Sequence, residues 1–184
     1  MEFLLLNSQE AGRLAERLLS VWYRAFSAPP YSVTRGELVR ARRLFEVHLA
    51  TPGFRLIGAF LHGAPVGFAY GFPRSPGEAW TEEVAASLPA GLHRRWLEEA
   101  FGFVEFAVDP RYQGLGIGSQ LHDRLLATAR EPRAVLTVHA HAPAARFYAR
   151  RGWRRLGWLR GAPYHILAKE LERAGGAGMA GAPS

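Results

Sequence analysis

Residues Phe101–Leu121 read FGFVEFAVDPRYQGLGIGSQL, and three patterns follow one another within this stretch. An apolar run ends at Asp109-Pro110 and predicts a strand, and a helical pattern begins at the glycines that follow. Because these glycines alternate with other residues, the backbone N–H groups of the loop can converge on one point. A helix N-terminus adds partial positive charge there. The sequence therefore predicts a loop suited to hold a phosphate or pyrophosphate.

Composition indicates one folded domain. The chain has 184 residues, of which 48% are hydrophobic, and this is enough for a proper core. The absence of cysteine excludes disulfides, cysteine-ligated metals and a cysteine nucleophile. The sequence contains neither a signal-peptide pattern at its start nor an apolar run of membrane-spanning length. We expect a cytoplasmic protein without membrane contact, with one domain over residues 1–173 and a flexible tail over residues 174–184.

The chain carries a formal net charge of +7, and Lys169 is its only lysine. A basic surface attracts nucleic acid or anionic ligands. A bias toward arginine, together with abundant alanine, glycine and proline, also reflects genome composition. Because the arginines are spread along the chain without a long block of like charges, we expect no nucleic-acid partner.

The hydrophobic periodicity predicts a mixed α/β fold, in which strands alternate with helices in the second half of the chain. Ser8 and a capping box at Thr34 and Glu37 mark the starts of two helices. A helical pattern over residues 80–100, interrupted at residues 88–91, forms an insertion before the strand that leads into the glycine loop. The predicted strands cover residues 3–7, 54–61, 66–72, 101–108, 134–138, 153–158 and 164–169.

Two standard nucleotide-binding motifs do not fit the glycine loop. The Walker phosphate loop needs Gly-Lys-Ser/Thr, and this loop contains no lysine. The dinucleotide fingerprint needs the spacing G-x-G-x-x-G and an acidic residue at the end of a second strand. Here the glycines alternate, and the strand over residues 134–138 ends without an acid. The spacing therefore excludes both classes of nucleotide site.

Two linked motifs resemble those of the GNAT superfamily of N-acetyltransferases. Gln113-x-x-Gly116-x-Gly118, directly after the strand over residues 101–108, resembles the family's acetyl-CoA motif. Residues 141–153, HAPAARFYARRGW, resemble its Asn-x-x-Ala-x-x-Phe-Tyr-x-x-x-Gly-Phe segment. The resemblance implies a mixed, mostly antiparallel central sheet flanked by helices. It also implies an enzyme that transfers an acetyl group from acetyl-CoA directly to a primary amine.

The resemblance further implies where acetyl-CoA, the cosubstrate, would bind. Backbone amides of the glycine loop would hold the pyrophosphate, and Arg111 would meet the 3′-phosphate. The edge of the strand before the loop would pair with the pantetheine arm, because that strand would splay from the strand over residues 134–138. No metal site is expected. The expected cofactor-binding residues are Phe106, Ala107, Val108, Gln113, Gly114, Leu115, Gly116, Ile117, Gly118, Ser119, His141, Ala144 and Phe147.

His141 departs from the family pattern, because it stands where the family has asparagine. Both side chains can hydrogen-bond to the cofactor, so the departure does not remove binding. Histidine also titrates near neutral pH. The alternative interpretation is a surface histidine at a helix start.

Tyr148 and Glu105 are the two catalytic candidates. The resemblance implies that Tyr148 protonates the leaving thiolate of coenzyme A; the alternative is a ring that only packs beside Phe147. Glu105 interrupts an apolar run, and a carboxylate on a buried strand is costly unless it is paired or functional. Partial desolvation would raise its pKa and suit a base for an ammonium substrate. The alternative for Glu105 is an ion pair with an arginine.

The acceptor, a small-molecule or peptide amine, stays open, because small amines, aminoglycosides, amino acids and protein N-termini are all compatible with the sequence. The alternative function is a non-catalytic module that binds or senses acyl-CoA on the same fold. A homodimer, which is common in the family, also stays open. The aromatic residues that the resemblance places near the acceptor are Trp22, Tyr23, Phe26, Tyr31 and Trp80.

Overall fold

The computed structural model describes residues 1–172, which form a seven-stranded sheet with helices on both faces. The strands are β1 Glu2–Leu6, β2 Arg55–Leu61, β3 Ala64–Pro73, β4 Ala100–Val108, β5 Arg133–His139, β6 Arg154–Trp158 and β7 Tyr164–Glu170. The helices are α1 Ser8–Arg13, α2 Ala15–Phe26, α3 Arg35–Leu49, α4 Ala79–Ser87, α5 Ala90–Leu97, α6 Ile117–Ala127 and α7 Pro143–Ala149. The spatial order is β1-β2-β3-β4-β5-β7-β6, and within residues 1–172 only β4 and β5 pair in parallel. The predicted mixed, mostly antiparallel fold is confirmed.

Side-chain caps fix the starts of two helices. The side chain of Asn7 accepts a hydrogen bond from the N–H of Glu10, and the carboxylate of Glu10 accepts one from the N–H of Asn7. The predicted cap at Ser8 is therefore wrong by one residue, because the asparagine oxygen already satisfies the free amide of the first turn. The capping box predicted at Thr34 and Glu37 is confirmed.

Helices enclose an apolar core on each face of the sheet. α6 and α7 pack on one face, where Phe101, Leu121 and Leu136 are buried. On the opposite face, α2 and α3 cover β2, β3 and β4. The predicted insertion over residues 80–100 forms α4 and α5, which cover β5 and β7 on that same face. The middle of the sheet, where β4 meets β5, thus lies between two groups of helices.

All the described elements belong to this one sheet and its covering helices. None of the helices in the described residues is long and apolar enough to cross a membrane. The tail predicted over residues 174–184 lies outside the described residues, so the domain boundary at residue 173 stays a prediction.

Candidate functional site

β4 and β5 separate after a short parallel contact at the centre of the sheet. They pair only over Ala100–Gly102 and Arg133–Val135. The remainder of each strand diverges toward the glycine loop and the start of α7. The predicted splay between these two strands is therefore present, and it leaves one edge of β4 without a strand partner.

The backbone groups of β4 alternate between this free edge and β3. The N–H of Asp109 donates to the carbonyl of Val66 at 2.9 Å, so the backbone groups of Ala107, two residues earlier, also point toward β3. Those of Phe106 and Val108 point into the opening instead. We expected three consecutive residues to present a free edge; because a strand alternates, only Phe106 and Val108 do so.

A bulge in β4 places Glu105 on the face covered by α2. Tyr70 lies opposite Glu105, whereas the next residue, Gly71, lies opposite Phe103. Val104 is therefore the extra residue, and two consecutive side chains, Val104 and Glu105, share one face. Such a bulge aims a side chain where regular alternation would not place it.

The carboxylate of Glu105 accepts hydrogen bonds from two donors and forms no ion pair within the described part of the chain. Trp22 Nε1 donates to one oxygen at 2.9 Å, and the N–H of Phe106 donates to the other at 3.1 Å. The ion pairs among residues 1–172 involve other carboxylates, so the arginine partner considered above is not found. Burial raises the pKa of Glu105 to about 7, although both hydrogen bonds lower it.

Tyr148 is buried on α7 among aromatic rings. The ring centroids of Phe103, Phe147 and Trp153 lie 6.0, 5.4 and 5.5 Å from its own. Burial raises the pKa of Tyr148 well above its ordinary value, and the nearby charge of Glu105 adds to this shift. The ring packs as a core residue, while the hydroxyl stays protonated at neutral pH, which is the form a proton donor requires.

The glycine loop enters α6 through left-handed backbone positions. Gly114 has φ 77° and Gly116, the N-cap of α6, has φ 78° and no side-chain cap. The first helical hydrogen bond runs from the N–H of Gln120 to the carbonyl of Gly116. The N–H groups of residues 117–119 therefore lack helical partners, and they form a set of donors at the positive end of the helix.

Asp109 joins the glycine loop to α2. Its buried carboxylate accepts hydrogen bonds from Arg111 Nη2 at 2.8 Å and from Arg24 Nε at 2.7 Å. The bonds from Arg111, with that from Arg24, hold the pKa of Asp109 well below its ordinary range. Arg111, which we expected at a phosphate, thus shares its guanidinium with Asp109. Gln113 is also engaged, because its Nε2 donates to the carbonyl of Val108 at 2.9 Å.

We expect Asp109→Asn to lower the free energy of unfolding by about 2 kcal/mol at pH 7, because an amide forms weaker hydrogen bonds with guanidinium groups. A depressed pKa contributes stability that is lost as the pH falls, so the difference from wild type should be smaller at pH 3. Urea denaturation at both pH values measures this. Glu46→Gln makes the same change at an exposed carboxylate on α3 and should cost less. Equal losses in the two variants would contradict the linking role of Asp109.

A row of aromatic rings runs from α2 to β7 beside Glu105. The centroid of Trp22 lies 5.3 Å from Phe26, and that of Phe26 lies 4.7 Å from Tyr31. Tyr31 lies 5.7 Å from His139, which lies 5.3 Å from Tyr164. Three of the five predicted acceptor aromatics therefore belong to one surface.

The two other predicted acceptor aromatics lie apart from this row. Trp80, on α4, packs against the guanidinium of Arg74 at 4.1 Å, and its Nε1 donates to Thr137 Oγ1 at 3.4 Å. It therefore tethers the insertion to β5. Tyr23 is half-buried on α2, where its carbonyl accepts a hydrogen bond from Ser27 Oγ.

The second motif lies beside the opening, at the start of α7. The ring of Phe147 packs against Phe106 on β4 at 5.4 Å, and Ala144 is half-buried one turn earlier. His141 is exposed before the helix, where its N–H donates to His139 Nδ1 at 3.3 Å. Residues 1–172 contain no group of three His, Cys, Asp or Glu side chains placed to hold a metal ion.

His122, on α6, is a buried polar residue that we did not single out from the sequence. Its Nδ1 bonds to Asp123 Oδ1 at 2.6 Å, and its Nε2 accepts from Trp153 Nε1 at 2.9 Å. Burial lowers its pKa, so the ring is neutral with its proton on Nδ1. Because both ring nitrogens are engaged, His122 positions α6 against the chain before β6. No local pattern reveals this contact, because its partner Trp153 is 31 residues away.

Comparison with known proteins agrees with this geometry. Residues 16–153 match the model of the Acetyltransferase (GNAT) family. Over 120 residues the chain is 36% identical to the GCN5-like protein acetyltransferase of Mycobacterium tuberculosis. The matched region covers 59% of this chain and 55% of that protein, so the chain spans about half the length of this curated relative.

Solved structures share the fold at low sequence identity. The ribosomal-protein-S18-alanine N-acetyltransferase of Escherichia coli is 16% identical with a TM-score of 0.63, and the match covers 95% of this chain and 96% of that one. PaiA N-acetyltransferase of Thermoplasma acidophilum, solved in complex with coenzyme A, is 13% identical with a TM-score of 0.60. That match covers 92% of this chain and 99% of the other. The residues that match the family model include the splayed strands, the glycine loop and α7. This chain therefore belongs to the Acetyltransferase (GNAT) family.

Proposed function

We propose that this chain transfers the acetyl group of acetyl-CoA directly to a primary amine. The observation that supports this function most strongly is the opening between β4 and β5, with Glu105 on β4 and Tyr148 on α7. At neutral pH a carboxylate with a pKa of about 7 accepts a proton, whereas a phenol with a strongly raised pKa donates one. The two groups thus have complementary roles beside one opening.

The chain offers acetyl-CoA a binding surface along the free edge of β4. The uncapped N–H groups of residues 117–119 would bind the pyrophosphate. The carbonyl of Val108, which already accepts a hydrogen bond from Gln113 Nε2, has a second lone pair for an N–H of the pantetheine arm. The N–H of Val108 is left for the thioester oxygen, whereas the N–H of Phe106 already bonds to Glu105. Phe147 and Ala144 would line the opposite wall, and His141 would lie at its rim. Family membership and the coenzyme A complex of the PaiA relative support this placement.

The proposed reaction transfers one acetyl group and requires three proton transfers before Glu105 is regenerated. Glu105 accepts a proton from the ammonium substrate, directly or through water, and the free amine nitrogen attacks the thioester carbonyl carbon. The N–H of Val108 stabilises the oxyanion that forms. The C–S bond then breaks, and Tyr148 donates its proton to the leaving thiolate. The nitrogen of the intermediate loses its remaining extra proton, which passes through water to the Tyr148 phenolate, and Glu105 returns its proton to solvent. The products are the neutral amide, the thiol of coenzyme A and one proton. Holding the two substrates in contact supplies much of the rate, and no covalent enzyme intermediate is required.

Replacing Gly116 tests the role of the loop. Alanine in a left-handed conformation is strained by about 1 kcal/mol, and relief of that strain would displace the amide donors. We therefore expect Gly116→Ala to weaken acetyl-CoA binding about tenfold, measured by calorimetry.

Gly63, in the turn between β2 and β3, provides a matched control. Its φ is 73°, and an added Cβ would meet open space at Gly63 as it would at Gly116. Gly63→Ala introduces the same backbone strain far from the loop and should leave the acetyl-CoA Kd unchanged. Equal losses of affinity in the two variants would contradict the role of the loop. Failure of the wild-type chain to bind acetyl-CoA would overturn the proposed function.

A further inference from the structure

A cavity of about 230 Å³ lies between α2, α3 and the sheet. Glu105 contributes to its floor, and Leu18, Trp22, Leu44, Phe45 and Phe68 contribute to its walls. We infer that this cavity selects the acceptor, and that the acceptor is a small monoamine with an apolar aliphatic or aryl body. Its ammonium would meet Glu105, and its body would fill the cavity. This inference names the substrate class and rests on the proposed function.

Charge is unevenly distributed around the cavity. Its charged lining residues are Glu105, Glu37 and Arg40. Glu37 accepts the N–H of Thr34 at 2.7 Å and lies 4.0 Å from the exposed guanidinium of Arg40, so these two rim charges offset each other. Glu105 lies on the sheet beneath them. It accepts hydrogen bonds from Trp22 Nε1 and one backbone N–H, and a carboxylate has capacity for further donors, such as those of an ammonium group.

The rest of the wall suits an apolar body and offers little to further polar groups. Leu18, Phe45 and Phe68 are buried apolar side chains. The hydroxyl of Tyr70, also on the wall, is already bonded to His48 Nδ1 at 3.0 Å. A second ammonium or several hydroxyls would be desolvated there without partners, which is costly. The volume is below the roughly 300–1,000 Å³ of pockets for drug-sized ligands, which favours a small amine over a multi-ring amino sugar.

A pair of matched amines tests this selectivity with the wild-type chain and acetyl-CoA. n-Hexylamine and 1,5-diaminopentane have the same number of heavy atoms. At the end opposite the reacting amine, n-hexylamine carries a methyl group and the diamine a second ammonium. We expect kcat/KM for n-hexylamine to exceed that for the diamine by about 100-fold. It should also rise about fourfold per added methylene from n-propylamine to n-hexylamine. Equal or higher kcat/KM for the diamine would overturn the inference.

Leu44 and Val47, both on α3, provide a variant and its control. Leu44 lines the cavity and is 54% exposed, whereas Val47 is 64% exposed and is not among the lining residues. Leu44→Glu should lower kcat/KM for n-hexylamine about tenfold and raise it for the diamine, because it adds a carboxylate to the wall. Val47→Glu should change neither value. Unchanged selectivity in Leu44→Glu, or the same change in both variants, would contradict the assignment of the cavity.

The outcomes separate this inference from the proposed function. If polar or polycationic amines react while apolar monoamines do not, the acceptor class is wrong and acetyl transfer stands. If acetyl-CoA binds and no amine of any class accelerates thiol release, acetyl transfer itself is wrong and the acceptor class fails with it.

Discussion

Glu105→Gln is expected to lower kcat/KM about 1,000-fold at pH 8. Glutamine keeps the size of the side chain and can still accept the hydrogen bond from Trp22, but it cannot take a proton from an ammonium group. In the wild type, kcat/KM should rise with pH up to about 7, the pKa of Glu105, and then level off. The levelling off near pH 7 should be absent from the variant, because only the free amine can react there and its fraction keeps rising with pH. Steady-state assays from pH 5.5 to 9 measure both profiles, and identical profiles would exclude Glu105 as the base.

The same variant should be more stable than the wild type above pH 7. Folding raises the pKa of Glu105 from 4.5 to about 7, so the wild type loses stability as the pH rises between these values. The shift corresponds to about 3 kcal/mol at pH 8, a cost that neutral glutamine avoids. Urea denaturation should therefore show a difference in the free energy of unfolding at pH 8 that is small at pH 4.5. A difference of equal size at both pH values would show that it arises from changed packing and not from the charge of Glu105.

The Glu46→Gln variant is a matched control for both measurements. Glu46 lies on α3 with an exposed side chain that pairs with Arg42 at 3.4 Å. The change removes the same charge far from the opening, so activity, its pH profile and stability should remain close to the wild type. A loss of activity like that of Glu105→Gln would indicate a general effect of net charge.

Tyr148→Phe is expected to lower kcat about 100-fold while the Kd for acetyl-CoA changes less than about twofold. Phenylalanine keeps the ring that packs against Phe103, Phe147 and Trp153, and it removes the hydroxyl that would protonate the thiolate. Saturating steady-state kinetics and calorimetry separate the two quantities. An unchanged kcat would leave packing as the only role of Tyr148.

Tyr112→Phe provides the control for this hydroxyl deletion. Tyr112 lies in the short 3₁₀ turn over Pro110–Tyr112, where its ring is 5.5 Å from the guanidinium carbon of Arg111. Its hydroxyl has no part in the proposed reaction, so kcat should stay at the wild-type value. A loss equal to that in Tyr148→Phe would point to disturbance of the loop rather than loss of a proton donor.

Most of the fold could be predicted from local sequence patterns. The capping box at Thr34 and Glu37 begins α3 as predicted. The interruption predicted over residues 88–91 is shorter in the structure, where only residues 88 and 89 separate α4 from α5. The predicted N-cap of α1 differs from the observed one by one residue, because Asn7 and Ser8 are both good N-caps. Only the hydrogen bond between Asn7 and Glu10 decides between them. Short-range periodicity and capping chemistry account for these results.

The candidate site could be predicted in part. The motifs located the splayed strands and the loop, and the isolated charge in an apolar run singled out Glu105. The bulge at Val104, which aims that charge toward α2, depends on pairing with β3 and leaves no mark in the sequence of β4. The contact of Asp109 with Arg24 joins residues 85 positions apart, so no local pattern reveals it. Both features depend on contacts between distant parts of the chain, so local sequence patterns could not predict them.

Amine-dependent release of thiol from acetyl-CoA tests the proposed acetyl transfer most directly. We expect n-hexylamine to accelerate thiol release by the wild-type chain, with one acetylated amine formed for each thiol, and Glu105→Gln to lose this acceleration. If the chain binds acetyl-CoA and no amine accelerates thiol release above the uncatalysed rate, the result would contradict acetyl transfer and favour a module that only binds acyl-CoA.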